Sequence, residues 1–298
     1  MEVIIWNTFI VLSKIVFYVG FACIAGYTFF RQIFEHNKSH NNVEIANLKC
    51  TKTSAFVAFI TNVVWFFAST GAMAEEGIQG ALDPDMLAIM WDSSVGDGAL
   101  LRGFGLAIAL IALTSPFKPK PVVLKKYLKP SVLGVSLLIL AYSFTLLGHV
   151  SELGIIETML LILHVLVMAW WFGALLPLKQ ACQQLGYVEL HLLMENFGKQ
   201  ASIAVSLLLV AGLWLAIQLV GSVDALIRSS YGQILLFKLA LVVSILAIAA
   251  KHKLKLVPLL KNNDGREALS KSISNEMILA IAILAVTSGL TSLVGPAY

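Results

Sequence analysis

Long apolar runs, separated by short polar stretches, set the pattern of this chain. They cover residues 4–30, 55–73, 99–114, 131–148, 155–176, 201–220, 234–250 and 276–294. Each approaches the length of about 20 apolar residues that a helix needs to cross a bilayer core, and none alternates with the two-residue period of a strand. The pattern therefore predicts an all-α membrane protein with eight transmembrane helices. The first run is too long for a signal-peptide core, follows acidic Glu2 and lacks a basic leader, so it reads as a retained span. Between the second and third runs lies a polar and amphipathic insert.

Composition strengthens this reading. Of 298 residues, 58% are hydrophobic and 13% charged, and the mean hydropathy is +0.85, whereas soluble domains carry about a quarter charged residues. A net charge of +4 matters only once it is placed on loops. Arg31, Lys38, Lys49 and Lys52 follow the first run; Lys118, Lys120, Lys125, Lys126 and Lys129 follow the third. Lys179 and Lys199 follow the fifth, and Lys251, Lys253, Lys255, Lys261, Arg266 and Lys271 follow the seventh. By the positive-inside rule these loops are cytoplasmic, which puts both termini in the periplasm. The other side is acidic, with Glu75, Glu76, Asp83, Asp85, Asp92, Asp97, Glu152, Glu157 and Asp224. Such a rim concentrates cations, although excluding lysine would also leave it acidic. Basic tracts interleaved with aromatics are missing, so nucleic acid is not an expected partner. Cys23, Cys50 and Cys182 form no C-x-x-C pair, and neither a disulfide framework nor a zinc site follows.

The chain also repeats itself. The segment SSVGDGALLR, 93–102, aligns without gaps on SSYGQILLFK, 229–238; Lys14 then falls on His164 and Gly71 on Gly212. This predicts a single integral membrane domain over 1–298, built from two duplicated four-helix halves. Residues 1–129 with 130–149 form the first half, and 150–298 the second. An even number of spans per half gives both the same, parallel orientation.

His149 and His164 are the two histidines flanked by apolar helices, and the chemistry is expected around them. Glu157, Leu161, His164, Met168 and Trp171 recur at helical spacing and share one face. Imidazole and thioether together suit copper, Cu(I) in particular, whereas Mg or Ca would call for a carboxylate cage. Candidate metal ligands are His149, His164, Met168, Met73, Met86 and Met90, the last two also explicable as packing. His164 lies about nine residues inside its span, roughly 13 Å below His149 at the surface, so two stations along a path fit better than one closed site. Lys14, Arg102 and Lys238 are unusual so far inside a membrane. They either snorkel or pair with Asp92, Asp97, Glu152 or Glu157, while Lys14 has no evident partner. Glu276, opening the last run, reads as an acidic helix N-terminus.

Gly148-His149, Leu163-His164 with Trp171 and Gly173, Ser230-Tyr231-Gly232 running through Leu235-Leu236 to Lys238, and residues 269–276 together resemble the copper resistance D (CopD) family of bacterial inner-membrane proteins. The likeness is densest over 148–296 and reaches the first half through Lys14, Tyr18, Gly26 and the 96–102 segment. Ala174, Gly198 and Met168 depart from the family pattern. The resemblance implies a multi-pass plasma-membrane protein that is not an enzyme and moves copper, as Cu(I) or Cu(II), from periplasm to cytoplasm. It also implies a separate periplasmic partner resembling CopC. No P-loop is present, so ATP hydrolysis is not expected to drive the movement. Two other readings stay open: a b-type haem electron carrier using these histidines, which their unequal depth disfavours, and a copper sensor or scaffold.

Overall fold

The computed structural model describes residues 2–34, 41–115, 122–147 and 154–294, and everything below concerns those residues. They form helices and connecting turns, with no strand among them. Lipid offers no hydrogen-bond partner to a peptide group, so a chain this apolar must satisfy its backbone within helices. The long ones are α1 (Glu2–Phe34) and α2 (Asn41–Ala74), then, after the short α3 (Gly77–Leu82) and α4 (Pro84–Trp91), α5 (Ser94–Thr114) and α6 (Val122–Tyr142). There follow α7 (Ile155–Gln184), α8 (Tyr187–Val220), the short α9 (Val223–Arg228) and α10 (Ser230–Lys251). α10 continues through a π turn (His252–Leu256), the single-turn α11 (Val257–Leu259) and a 3-10 turn (Leu260–Asn262) before α12 (Arg266–Leu293). Seven of these helices are long and apolar enough to cross a membrane. Within α6 the apolar stretch is shorter, Leu128–Tyr142.

α1 is the centre of the bundle. Its Phe17, Tyr18, Phe21, Ile24, Tyr27 and Phe30 are buried, and it packs against α2, α6, α7 and α12. At its crossing with α7 the two backbones touch, because Gly26 and Gly173 face one another: a Cβ on Gly26 would lie 2.1 Å from the Gly173 carbonyl oxygen, and one on Gly173 would lie 1.9 Å from that of Ala22. Around this axis α2 packs on α5 and α5 on α6, while α7 packs on α8 and α12, and α12 on α10.

The insert expected between the second and third runs folds as α3 and α4. Asp83 caps α4, its carboxylate accepting from the Asp85 and Met86 amides at 3.1 and 2.9 Å. The entries to α5 and α10 are alike. Each follows a short helix and starts at a capping serine, Ser93 or Ser229. A glycine then sits hard against the preceding turn, with a Cβ on Gly96 falling 2.0 Å from the Trp91 carbonyl oxygen and one on Gly232 2.3 Å from that of Leu226.

Three helices begin well before their apolar runs do: α2 at Asn41, α8 at Tyr187 and α12 at Arg266. An apolar run marks what lipid requires, while polar residues with good helix propensity continue the same helix into the headgroups. Glu276 is consequently not at a helix start. It stands well inside α12 and is 2% exposed.

Candidate functional site

The face of α7 that packs on α8 carries the sequence-predicted imidazole. His164 lies against α8, where Gly212 leaves it room: a Cβ there would come within 2.9 Å of His164 Cε1. The ring lies by the Leu208 backbone and beside Lys238 of α10. Its Nδ1 is buried and, among the described residues, makes no hydrogen bond of good geometry, the Leu208 backbone being its polar neighbour. A buried ring nitrogen paired this poorly is costly, and such groups in membrane helices mark functional positions. Met168, one turn deeper, is half-buried and packs on the main core. At the top of the same face Glu157 accepts from the Trp214 indole N–H at 3.3 Å, which ties α7 to α8.

The outer methionines are dispersed. Met73 is exposed at 66%, Met86 is half-buried on α4, and Met90 is buried with Trp65, Phe66 and Ala99 beneath it. His149 and Glu152 lie outside the described residues.

Neither snorkelling nor a carboxylate accounts for Lys14 or Arg102. Lys14 Nζ donates to the Thr291 carbonyl at 3.2 Å, fastening α1 to α12, and Ser288 Oγ reinforces that seam by donating to the Val11 carbonyl at 3.0 Å. Arg102 is buried among rings, its guanidinium 4.6 Å from Phe17, 4.5 Å from Trp65 and 5.7 Å from Phe144. Cation–π contact strengthens when desolvated, so this cage replaces the anion that sequence reasoning looked for. Asp92 and Asp97 are exposed instead. Lys14 lies near Arg102, as His164 lies near Lys238.

Toward the end carrying the basic loops, the structure opens a cavity of about 500 Å³ between α7, α8, α10 and α12. His191, Met194, Glu195, His252, Lys253 and Glu276 line it. His252 Nδ1 is 3.1 Å from Glu276 Oε2 and its Nε2 is 2.8 Å from Ser272 Oγ. The carboxylate accepts from Nδ1–H, which leaves Nε2 to accept from the Ser272 hydroxyl when the ring is neutral. His252 also opens the π turn, a distortion that recurs at functional positions. On the opposite wall His191 donates from Nδ1 to the Val257 carbonyl at 3.1 Å and approaches Glu195 at 3.5 Å. Sequence reasoning missed this cavity. The available signal was His191, Glu195, His252 and Glu276 close to the basic loops, of which only Glu276 was singled out, as an acidic helix N-terminus.

A helical chain with these spans and with polar groups held inside them is a multi-pass membrane protein. Its first part, residues 5–158, matches the family model "Copper resistance protein D-like, N-terminal domain", and residues 191–290 match "Copper resistance protein D"; the chain belongs to the copper resistance protein D family. It is also 29% identical over 163 residues to the copper transport protein CutJ of Bacillus subtilis (strain 168). That match covers 53% of this chain and 29% of CutJ, so the chain spans under a third of this curated relative. No solved structure matches the chain.

Proposed function

We propose that this protein carries copper across a bacterial inner membrane, from periplasm to cytoplasm, as a transporter and not an enzyme. The observation that carries the proposal is the buried Nδ1 of His164, without a hydrogen bond of good geometry and on a helix face shared with the Met168 thioether. Copper reaches this station from the acidic rim, through His149 and the exposed thioether of Met73, with Met86 as a further donor. Met90 contributes through packing under α4. An imidazole and a thioether are soft, neutral donors, and that donor set suits Cu(I). Below it the 500 Å³ cavity opens toward the cytoplasm.

The architecture proposed with it has α6 as an eighth span and two duplicated halves, 1–149 and 150–298, with both termini in the periplasm. The matching entries at Gly96 and Gly232, and the packing of α1 on α12 mirrored by α7 on α6, support the duplication. Lys14 and Arg102 then hold the first half closed, where the second half keeps an imidazole. A separate CopC-like protein delivers the ion to the rim.

His164→Ala is expected to reduce copper accumulation to that of cells lacking the protein, with equal amounts of protein in the membrane. Metal content of washed cells checks this. Accumulation equal to the unaltered protein would refute the transport reading.

A further inference from the structure

The three cysteines suggested nothing by their spacing, yet the fold brings two of them together. α1 and α2 pack along most of their length, with a Cβ on Gly20 3.0 Å from the Ser54 carbonyl oxygen and Thr51 Oγ1 3.5 Å from the Cys23 carbonyl, and this register sets the side chains of Cys23 and Cys50 beside one another and beside Ser54. They are not joined as a disulfide. Asn47, Cys50, Thr51 and Ser54 recur at helical spacing, so α2 turns a polar stripe toward α1. Asn47 and Thr51 on this stripe are 4% and 1% exposed. Thr51 Oγ1 donates to the Asn47 carbonyl at 2.8 Å and reaches the Cys23 carbonyl at 3.5 Å. The cluster lies toward the basic-loop end of both helices, with Lys49 and Lys52 on neighbouring positions of α2. Among the described residues no carboxylate or imidazole joins it into a larger cluster of metal-binding side chains.

We infer that Cys23 and Cys50 form a dithiol site for one Cu(I) ion at the cytoplasmic end of the first half. The choice of ion follows from the donor set. Two thiols with no carboxylate offer nothing to hard cations and too few ligands for tetrahedral zinc, whereas soft thiolates select Cu(I). The cytosolic side keeps thiols reduced, which preserves the pair. Binding involves no change of oxidation state: two S–H bonds break, two Cu–S bonds form, both protons pass to water, and the product is a two-coordinate bis-thiolate anion. Lys49 and Lys52 favour that negative charge. The inference rests on the reading above in taking copper as the cargo and the basic-loop end as the cytoplasmic one.

Its test uses the full chain, purified in detergent, fully reduced and titrated anaerobically with a Cu(I)–acetonitrile complex. The unaltered protein is expected to develop a near-ultraviolet thiolate-to-Cu(I) charge-transfer band that saturates at one equivalent. X-ray absorption should show that ion bound by two sulfurs. Cys23→Ser and Cys50→Ser should each lose the band, and Cys182→Ser, altered on a different helix, should keep it. Serine preserves size and hydrogen bonding, and an unchanged elution profile shows that each variant is folded. A band of full height in the Cys23→Ser/Cys50→Ser protein, or its absence from the reduced, folded, unaltered protein, would overturn the inference. Neither result touches the transport reading, which fails only if His164→Ala leaves copper accumulation intact.

Discussion

Gly173→Val is expected to abolish recovery of folded protein. The side chain would have to occupy space where the Ala22 carbonyl oxygen already lies 1.9 Å from the position of Cβ, and where the Gly26 amide nitrogen lies 2.8 Å away. Both obstacles are backbone, so no rotamer change relieves them; α1 and α7 must separate, and both helices contribute buried residues to the main core. Overpacking a core costs about 1–3 kcal/mol when side chains can yield, and a clash with backbone exceeds that. Gly26→Val should behave the same way. Gly134→Ala and Gly289→Ala are the contrast, since a Cβ there meets nothing within 4 Å. Relieving glycine inside a helix should stabilise each by up to about 1 kcal/mol. Detergent size-exclusion profiles and thermal unfolding check the set. A Gly173→Val protein that elutes and melts like the unaltered one would show that α1 and α7 do not cross here.

The second large effect is expected at the inner cavity. His252→Ala leaves Glu276 buried without its ring partner. Removing one member of a buried pair costs about 3–5 kcal/mol. Glu276→Leu should cost less, because His252 still keeps Ser272. The double variant His252→Ala/Glu276→Leu should recover much of the loss, so the two single effects are not additive. Melting temperatures of the four proteins measure this. Simple additivity would mean the two residues do not act as a pair.

The helices were legible in the sequence because lipid imposes one strong requirement, a long apolar run, and the chain meets it repeatedly. The starts of α2, α8 and α12 were not, since polar residues extend a helix without extending its apolar run. That is why Glu276 read as a terminus when it lies inside α12. Arg102 was flagged as unusual, with snorkelling or a carboxylate expected: Phe17 and Trp65 come from α1 and α2 and Phe144 from the turn after α6, and sequence proximity favours the nearby aspartates. The seat of Lys14 on Thr291 joins α1 to α12 and has no local signature. Cys23 and Cys50 escaped notice for the same reason, since a thiol pair across two helices leaves no spacing motif. His164 was found because an imidazole within a lipid-length apolar run is conspicuous wherever the other helices lie.

The central claim is that His164 grips copper inside the bundle. Its most direct test is metal analysis of the purified protein from copper-supplemented cells, carried out in a Cys23→Ser/Cys50→Ser background so that thiols contribute nothing. The account predicts bound copper in that protein and its loss on adding His164→Ala, with folding unchanged. Equal copper in both proteins, or none in either, would contradict it.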